Sequence, residues 1–258
     1  RITKPEQLLN TLPNAVQTLL DPSDCGPVFL GFPQDVQVEN YEFPEEFFKE
    51  VIHEIRRPRV DLNSLATAVE EIKKSKKPLI IAGGGVRYSK AHKELSDFAA
   101  TFEIPVVETV AGKSSLLATD ASWCGPVGVT GCDPANELAE EADLIISIGT
   151  RLQDFTTGSW TLFAPSARIV SINAARFDAG KRVAEAVVGD ARACLYIDKR
   201  LLHRMQCAGR VVQSRQSFQC GDGPSGHPAV PGVPPKLQWP TRTGPQCGCE
   251  TLVAGPAV

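Results

Sequence analysis

Short runs of apolar, mostly β-branched residues, each ending in a turn of small or polar residues, constrain the fold of this chain most strongly. The run at 78–82 leads into Gly83, and the run at 143–148 leads into Gly149. Continuous apolar runs, unlike alternating ones, are typical of strands buried on both faces, as in a parallel sheet covered by helices. The pattern predicts strands at 78–82, 104–107, 143–148, 168–172 and 186–188.

Helical patterns alternate with these runs. Asp61 is a suitable N-cap for one helix, Ser89 for a second, and Asp133 followed by Pro134 predicts the start of a third. The predicted buried faces contain Leu62, Leu65, Val69 and Ile72 in the first helix and Ala91, Leu95, Phe98 and Phe102 in the second. Alternating strands and helices with short loops predict right-handed parallel crossovers and a doubly wound α/β sheet.

The chain divides into segments of different character. Four are predicted: a partial α/β domain at 1–45, a charged and proline-broken linker at 46–60, the sheet-bearing domain at 61–200 and an irregular, disordered tail at 201–258. The first segment is expected to hold a helix from Pro5 through Leu20 and a short buried strand at 26–33. The helix should bury Leu8, Leu12, Ala15, Val16 and Leu19.

Composition excludes several classes of function. A net charge of -3 and a pI near 5.9, without a basic stripe, exclude nucleic acid as the main partner. No apolar run approaches the roughly 18 residues that span a bilayer, so no membrane partner is expected. Scattered cysteines indicate a reducing, cytoplasmic location, and the spacing of Cys247 and Cys249 does not suit zinc. Because the chain begins at Arg1 and its one methionine is Met205, we expect a fragment.

The turns after the strands are the candidate ligand site, because these loops share one edge of an open α/β sheet. Gly83, Gly84 and Gly85 lie between a strand and a helix, as a phosphate-binding loop does. The dinucleotide fingerprint is incomplete because Tyr88 stands where its last glycine belongs. A tight turn without a ligand explains the three glycines equally well.

Polar residues follow the other strands. Glu108 could accept a ribose hydroxyl, whereas Lys113 is expected to be an exposed loop lysine because Val107 breaks the phosphate-loop pattern. Arg151 could pair with a phosphate or carboxylate of a ligand, or with Asp154 or Asp178. The predicted binding set for an adenine nucleotide is Gly83, Gly84, Gly85, Lys113, Thr150, Arg151 and Asn173. No nucleophile, metal or paired-carboxylate motif supplies a catalytic residue.

Four segments of the chain are similar to a known enzyme family. Residues 26–36, 78–86, 142–151 and 188–191 resemble thiamine diphosphate enzymes of the acetolactate synthase superfamily. The first resembles the closing strand of their pyrimidine-binding domain. The others resemble their central domain, a six-stranded parallel sheet. The resemblance covers about residues 1–195.

Further segments resemble one branch of that superfamily, the hydrolases that open a cyclic 1,2-dione of inositol catabolism. These are residues 154–163, 173–181, 128–131 and 56–58. Phe155 and Asn173 depart from the residues usual in acetolactate synthases. An acetolactate synthase-like carboligase and a stand-alone nucleotide-binding module are the alternative functions.

The resemblance also implies cofactors and partners for a full-length parent. It implies thiamine diphosphate, Mg2+, a cyclic polyol diketone as substrate and a homodimer or homotetramer, and related acetolactate synthases hold a flavin in this domain. The activating glutamate would precede Arg1 and the Mg2+-diphosphate motif would follow this chain. Gly221-Asp222-Gly223 imitates that motif, but no asparagine follows it. The chain alone is therefore expected to lack catalysis.

Overall fold

Six strands form one sheet in the computed structural model, which describes residues 1–196. The strands are β1 (Pro78–Ala82), β2 (Val106–Glu108), β3 (Trp123–Pro126), β4 (Leu144–Ile148), β5 (Arg168–Asn173) and β6 (Glu185–Val188). The helices are α1 (Leu8–Leu20), α2 (Leu62–Lys74), α3 (Gly84–Tyr88), α4 (His92–Phe102), α5 (Asp133–Glu141), α6 (Asp154–Thr157) and α7 (Arg176–Ala179). Residues 191–196 are also helical. The tail expected at 201–258 lies outside the described residues.

All six strands are parallel, in the order β3-β2-β1-β4-β5-β6. The chain enters at β1, builds outward to β3, and then crosses back to β4 on the other side of β1. Ile80, for example, pairs with Val106 on one side and with Ile146 on the other. This order confirms the predicted doubly wound α/β sheet, and it places a reversal of strand order between β1 and β4.

Each face of the sheet carries its own apolar core, which explains the continuous apolar runs. Ile80 and Ile146 belong to one core with residues of α2 and α4, whereas Ile81 and Ile145 belong to the other with residues of α5. Successive side chains of a strand point to opposite faces. A central strand covered on both faces therefore has no position that favours a polar residue.

The strand β3 was not among the predicted strands. Its sequence, Trp123-Cys-Gly-Pro126, contains a glycine and a proline and no β-branched residue. Proline is tolerated at the end of an outer strand because the missing N–H costs no ladder hydrogen bond on the open side. The local sequence therefore carries no strand signal, although the resemblance implied six strands.

The helix predictions are confirmed in α2 except at one position. The Asp61 side chain accepts a hydrogen bond from the Ser64 N–H at 2.9 Å, as an N-cap does. Leu65, Val69 and Ile72 are buried, but Leu62 is exposed, so the buried stripe begins one turn later than predicted.

Two other helix starts differ from the prediction. Ser89 does not cap α4: it follows α3, and its hydroxyl donates to the Gly85 carbonyl at 2.8 Å. The helix α4 begins at His92. Its N-cap Ala91, Leu95 and Phe98 are buried as expected, whereas Phe102 is only partly buried. The N-cap of α5 is Cys132, one residue before the predicted cap at Asp133. Turn chemistry thus located these helices to within a few residues.

Residues 1–60 differ from the sheet. The helix α1 is confirmed, but of its five predicted buried residues the structure buries Ala15 alone: Leu19 is exposed, and Leu8, Leu12 and Val16 are partly buried. The buried strand predicted at 26–33 is wrong. Phe29 is 91% exposed, because no strand of residues 1–196 pairs with this run. Residues 49–60 form neither helix nor strand. Across the described part of the chain, no helix has the length and apolar character to span a membrane.

Candidate functional site

All seven predicted binding residues lie at the carboxyl ends of the strands. Gly83, Gly84 and Gly85 follow β1, and Lys113 lies in the loop after β2. Thr150 and Arg151 follow β4, and Asn173 is the last residue of β5. We refer to these loops, 83–85, 109–117, 149–153 and 173–175, as the carboxyl edge. The edge includes the point between β1 and β4 where the strand order reverses, which is where open α/β sheets bind ligands.

The loops after β1 and β4 pack backbone against backbone at this reversal. The Gly85 N–H donates to the Gly149 carbonyl at 2.8 Å. A Cβ on Gly83 would overlap the Gly149 carbonyl oxygen, and one on Gly85 would lie 2.5 Å from the Gly149 Cα. Gly83 and Gly85 are therefore required by the close approach of the two loops, independently of any ligand.

Glu108 organises the loop after β2 from the inside. Its buried carboxylate accepts hydrogen bonds from the Leu116 N–H at 2.9 Å, the Ser114 N–H at 3.3 Å and Trp123 Nε1 at 3.2 Å. These donors occupy the carboxylate that we expected to accept a ribose hydroxyl. Lys113, on the outside of the same loop, is exposed, and residues 1–196 contain no ion-pair partner for it.

Asn173 joins the loops after β4 and β5. Its Nδ2 donates to the Thr150 carbonyl at 3.0 Å, and its Oδ1 accepts from the Ala175 N–H at 3.0 Å. The buried Thr150 hydroxyl accepts from the Leu152 N–H at 3.2 Å. The structure thus brings Thr150 and Asn173 together, and both side chains shape the edge through backbone contacts.

Arg151 pairs with Asp178, one of the two acids proposed from the sequence. Its Nε lies 3.4 Å from Asp178 Oδ2, while Lys181 Nζ lies 2.8 Å from Asp178 Oδ1 and donates to the Arg151 carbonyl at 2.7 Å. The Arg151 side chain is nevertheless 64% exposed. Two cations thus share one carboxylate, which leaves positive charge at the carboxyl edge.

Sequence reasoning missed a pair of strained loops beside this edge. The Arg182 guanidinium lies 4.7 Å from the centre of the Trp160 ring, which is within cation-π range. Ser159, Trp160, Arg182 and Val183 all have positive φ, an uncommon conformation for residues other than glycine. Ser159 and Trp160 lie inside segment 154–163, and Arg182 and Val183 directly follow segment 173–181. The resemblance of these two segments to the hydrolase branch therefore identified the region but not the contact between Arg182 and Trp160.

The described residues do not fit a Mg2+-diphosphate site. Within residues 1–196, no group of three or more His, Cys, Asp or Glu side chains is arranged to hold a metal ion. Two acids beside the carboxyl edge are engaged elsewhere, Glu108 with backbone donors and Asp178 with two cations. The carboxyl edge offers cations and loop shape, which suit an anion more than a cation.

Curated relatives cover most of this chain. It is 46% identical over 205 residues to a protein of Clostridium botulinum (strain Alaska E43 / Type E3) named 3D-(3,5/4)-trihydroxycyclohexane-1,2-dione hydrolase, covering 79% of this chain and 32% of that protein. A protein of the same name from Geobacillus thermodenitrificans is 47% identical over 195 residues, covering 76% and 30%. The chain spans about a third of the length of these relatives.

Solved structures share the fold. A thiamin diphosphate-dependent enzyme from Mycobacterium smegmatis superposes with a TM-score of 0.61 at 21% identity, covering 78% of this chain and 38% of that one. Benzoylformate decarboxylase from Polynucleobacter necessarius superposes with a TM-score of 0.62 at 20% identity, covering 78% of this chain and 37% of that one. The sequence profile for the central domain of thiamine pyrophosphate enzymes matches residues 65–196, half of the chain and all six strands of the sheet. The chain therefore belongs to the thiamine pyrophosphate enzyme family, whose central domain it contains.

Proposed function

We propose that the full-length parent of this chain is a thiamine diphosphate-dependent hydrolase that cleaves a C–C bond in a cyclic 1,2-dione of inositol catabolism. The observation that carries the proposal is the identity of 46% over 205 residues to a relative with that name. That span is longer than the family-profile match at 65–196, so the similarity extends beyond the shared central domain. A general fold relationship accounts for much less, as the 20% identity of benzoylformate decarboxylase illustrates.

In this proposal the central domain supports catalysis without performing it. Residues 1–196 contain no metal-binding cluster, so thiamine diphosphate and Mg2+ would be held by other parts of a cytoplasmic homodimer or homotetramer. When bound, thiamine diphosphate supplies the electron sink for breaking a bond next to a carbonyl. The role of this chain's own residues is to hold the loops of the carboxyl edge in one geometry, through contacts such as Asn173 Nδ2 with the Thr150 carbonyl.

The test compares the chain with its reconstructed full-length parent. With thiamine diphosphate and Mg2+, the parent should consume the trihydroxycyclohexanedione and leave pyruvate unchanged. The 258-residue chain should consume neither the dione nor pyruvate, and calorimetry should show no Mg2+-dependent binding of the cofactor. Acetolactate formation by the parent without consumption of the dione would establish the carboligase alternative. Micromolar cofactor binding by the chain alone would contradict the supporting role.

We also propose that the carboxyl edge, including Gly83, Gly84 and Gly85, binds an adenine nucleotide. The support is the reversal of strand order between β1 and β4, together with Lys113, exposed and outside the described ion pairs, and the largely exposed Arg151. The glycines would contribute the shape of the surface, since the Gly85 N–H is already bonded to Gly149. Lys113 and Arg151 would contact the phosphates.

Thermal shifts with ADP, NAD and FAD test the nucleotide proposal. At least one should raise the Tm of the chain, and Lys113→Ala should remove most of the shift. Lys76→Ala is the matched control, because Lys76 is an exposed lysine just before β1, at the opposite edge of the sheet. Unchanged Tm values with all three nucleotides would contradict the proposal. So would a nucleotide-induced Tm shift that falls equally in Lys113→Ala and Lys76→Ala.

A further inference from the structure

Two cysteines lie against each other where β3 leads into α5. Cys124 is in β3 and Cys132 is the N-cap of α5. The Cys132 sulfur lies 3.9 Å from the Cys124 carbonyl oxygen and 3.6 Å from the Pro126 carbonyl oxygen. A Cβ on Gly125 would lie 2.7 Å from the same sulfur, so the thiol rests directly on the backbone of β3. Both cysteines contact the same apolar core.

We propose that Cys124 and Cys132 are a peroxide-sensitive pair that forms a reversible disulfide. The contact between the Cys132 sulfur and the Cys124 carbonyl limits the two Cα atoms to a separation of about 9 Å at most, given standard bond lengths, while a disulfide needs roughly 4.4–6.8 Å. Any excess over that range is closed by movement of the segment between the two cysteines, loop 127–131. Gly125 and Gly128 have φ of +101° and +103°, and glycine supplies the backbone freedom for such a movement.

The two thiols differ in exposure, which sets the order of events. Cys132 is partly exposed and Cys124 is buried. Burial raises the pKa of the Cys124 thiol to about 12, so this thiol stays protonated and is a poor nucleophile toward an oxidant in solution. Cys132 therefore meets the oxidant first. Cys124 acts afterwards as the resolving thiol, once the sulfenic acid is held against it and the departing hydroxyl takes up the Cys124 proton.

The chemistry balances with a peroxide as the oxidant. The Cys132 sulfur takes one oxygen of the peroxide as the O–O bond breaks, which gives a sulfenic acid and releases an alcohol or water. The Cys124 sulfur then forms the S–S bond with Cys132 and displaces that oxygen as water. The net change converts two thiols and one peroxide into one disulfide, one alcohol or water, and one further water. The protons of both thiols leave in these products.

The disulfide would alter a loop that contacts α6, the helix directly after segment 149–153 of the carboxyl edge. Loop 127–131 is held by Asn136, whose Oδ1 accepts from the Gly128 N–H at 2.9 Å and whose Nδ2 donates to the Gly128 carbonyl at 3.1 Å. The same loop contacts the segment after β4, since the Val129 N–H donates to the Phe155 carbonyl at 2.8 Å. Drawing Cys132 toward β3 pulls on this contact, so oxidation of the pair is sensed near the carboxyl edge.

Peptide mapping of the intact chain tests the proposal directly. Trypsin releases residues 114–151 as one peptide, because no lysine or arginine lies between Lys113 and Arg151, and Cys124 and Cys132 are its two cysteines. After treatment with hydrogen peroxide, this peptide should lose the mass of two hydrogens and resist alkylation until a reductant is added. Cys25→Ser, which removes an exposed thiol, should leave the result unchanged.

Variants separate the two steps. Cys132→Ser should leave Cys124 reduced, whereas Cys124→Ala should allow a sulfenic acid to accumulate on Cys132, where a cyclic 1,3-dione reagent traps it. Two results would overturn the proposal. One is a 114–151 peptide that keeps both thiols while the peptide containing Cys25 is oxidised. The other is equal trapping at Cys132 in the wild-type chain and in Cys124→Ala, which would show that Cys124 does not resolve the sulfenic acid.

Discussion

Residues 1–60 and the sheet contain similar apolar runs that have opposite fates. The run at 26–33 forms no strand, and Phe29 is 91% exposed. In β1 and β4, by contrast, every residue is buried. The comparison shows that an apolar run becomes a strand through its neighbours: β1 pairs with β2 and β4 and is covered on both faces, whereas the run at 26–33 has no partner strand among residues 1–196.

The largest difference between the two regions should appear on truncating an isoleucine. Ile146 is completely buried in β4, so Ile146→Ala should lower the free energy of unfolding by about 4 kcal/mol through lost burial and a cavity. Ile52 is 88% exposed, so Ile52→Ala should change it by less than about 0.5 kcal/mol. Urea unfolding followed by fluorescence measures both. Similar losses would show that residues 1–60 share the packing of the sheet.

Glycine substitutions probe the same contrast at the level of the backbone. Gly85→Ala would place a Cβ 2.5 Å from the Gly149 Cα and should cost about 3 kcal/mol, because two loop backbones must separate. A methyl group on the Gly26 Cα would have no atom within 4 Å, so Gly26→Ala should be neutral or slightly stabilising. Urea unfolding of the two variants compares them directly. Equal stability would mean that the loops after β1 and β4 are not packed closely.

Arg57 links residues 1–60 to the sheet domain, and its removal should lower the stability by less than the isoleucine and glycine substitutions do. Arg57 Nη1 lies 2.8 Å from Asp190 Oδ2, and the Asp190 N–H donates to the Pro58 carbonyl at 3.0 Å. Because Arg57 is partly exposed, Arg57→Ala should cost about 1 kcal/mol and speed tryptic cleavage after Arg59. Arg56→Ala is the matched control, since the described ion pairs do not include Arg56. Equal cleavage rates in both variants would show that the ion pair does not anchor the segment.

The sequence predicted the sheet better than it predicted the contacts of the site. Continuous apolar runs located five strands: the four central strands, which need apolar residues on both faces, and the outer strand β6, whose residues 186–188 are apolar. The other outer strand, β3, contains a glycine and a proline and carried no such signal. That omission also hid the role of Glu108, whose carboxylate accepts from Trp123 of β3 and therefore faces inward. Turn positions identified Thr150 and Asn173, but their mutual contact depends on the register of β4 and β5.

The stability of the two regions should respond differently to acid, through two carboxylates that accept hydrogen bonds from backbone N–H groups. The backbone N–H of Ser64 lowers the pKa of Asp61 below its ordinary value, and those of Asp24 and Ser23 lower the pKa of Asp21. A lowered folded-state pKa means that the stabilisation is present above the unfolded value near pH 4 and disappears as the pH falls through the folded value. Asp61→Asn should therefore lower the urea midpoint at about pH 6, where the carboxylate is charged, and match the wild-type chain once the pH is below the folded-state pKa.

Asp21→Asn is the control for the acid experiment. Its turn lies outside the sheet, so the sheet's midpoint should be unchanged at either pH. If Asp61→Asn lowers the urea midpoint by as much in acid as at about pH 6, the side chain stabilises α2 through something other than its charge. An equal deficit in Asp21→Asn would show that residues 1–60 unfold together with the sheet.

Two serines within the sheet should show the smallest effect, although they are among its most buried residues. Ser147 of β4 and Ser171 of β5 are register partners, and neither hydroxyl has a hydrogen-bond partner among the described residues. A buried hydroxyl without a partner loses its hydration and gains nothing, so Ser147→Ala and Ser171→Ala should each change stability by less than about 0.5 kcal/mol or raise it.

Thr157, equally buried, has an Oγ1 that donates to the Gln153 carbonyl and accepts from the Trp160 N–H, so Thr157→Val should cost about 1 kcal/mol. Urea unfolding of the three variants decides whether partners or burial set the cost. If Ser147→Ala destabilises as much as Thr157→Val, its hydroxyl has a partner, such as a buried water between the two strands.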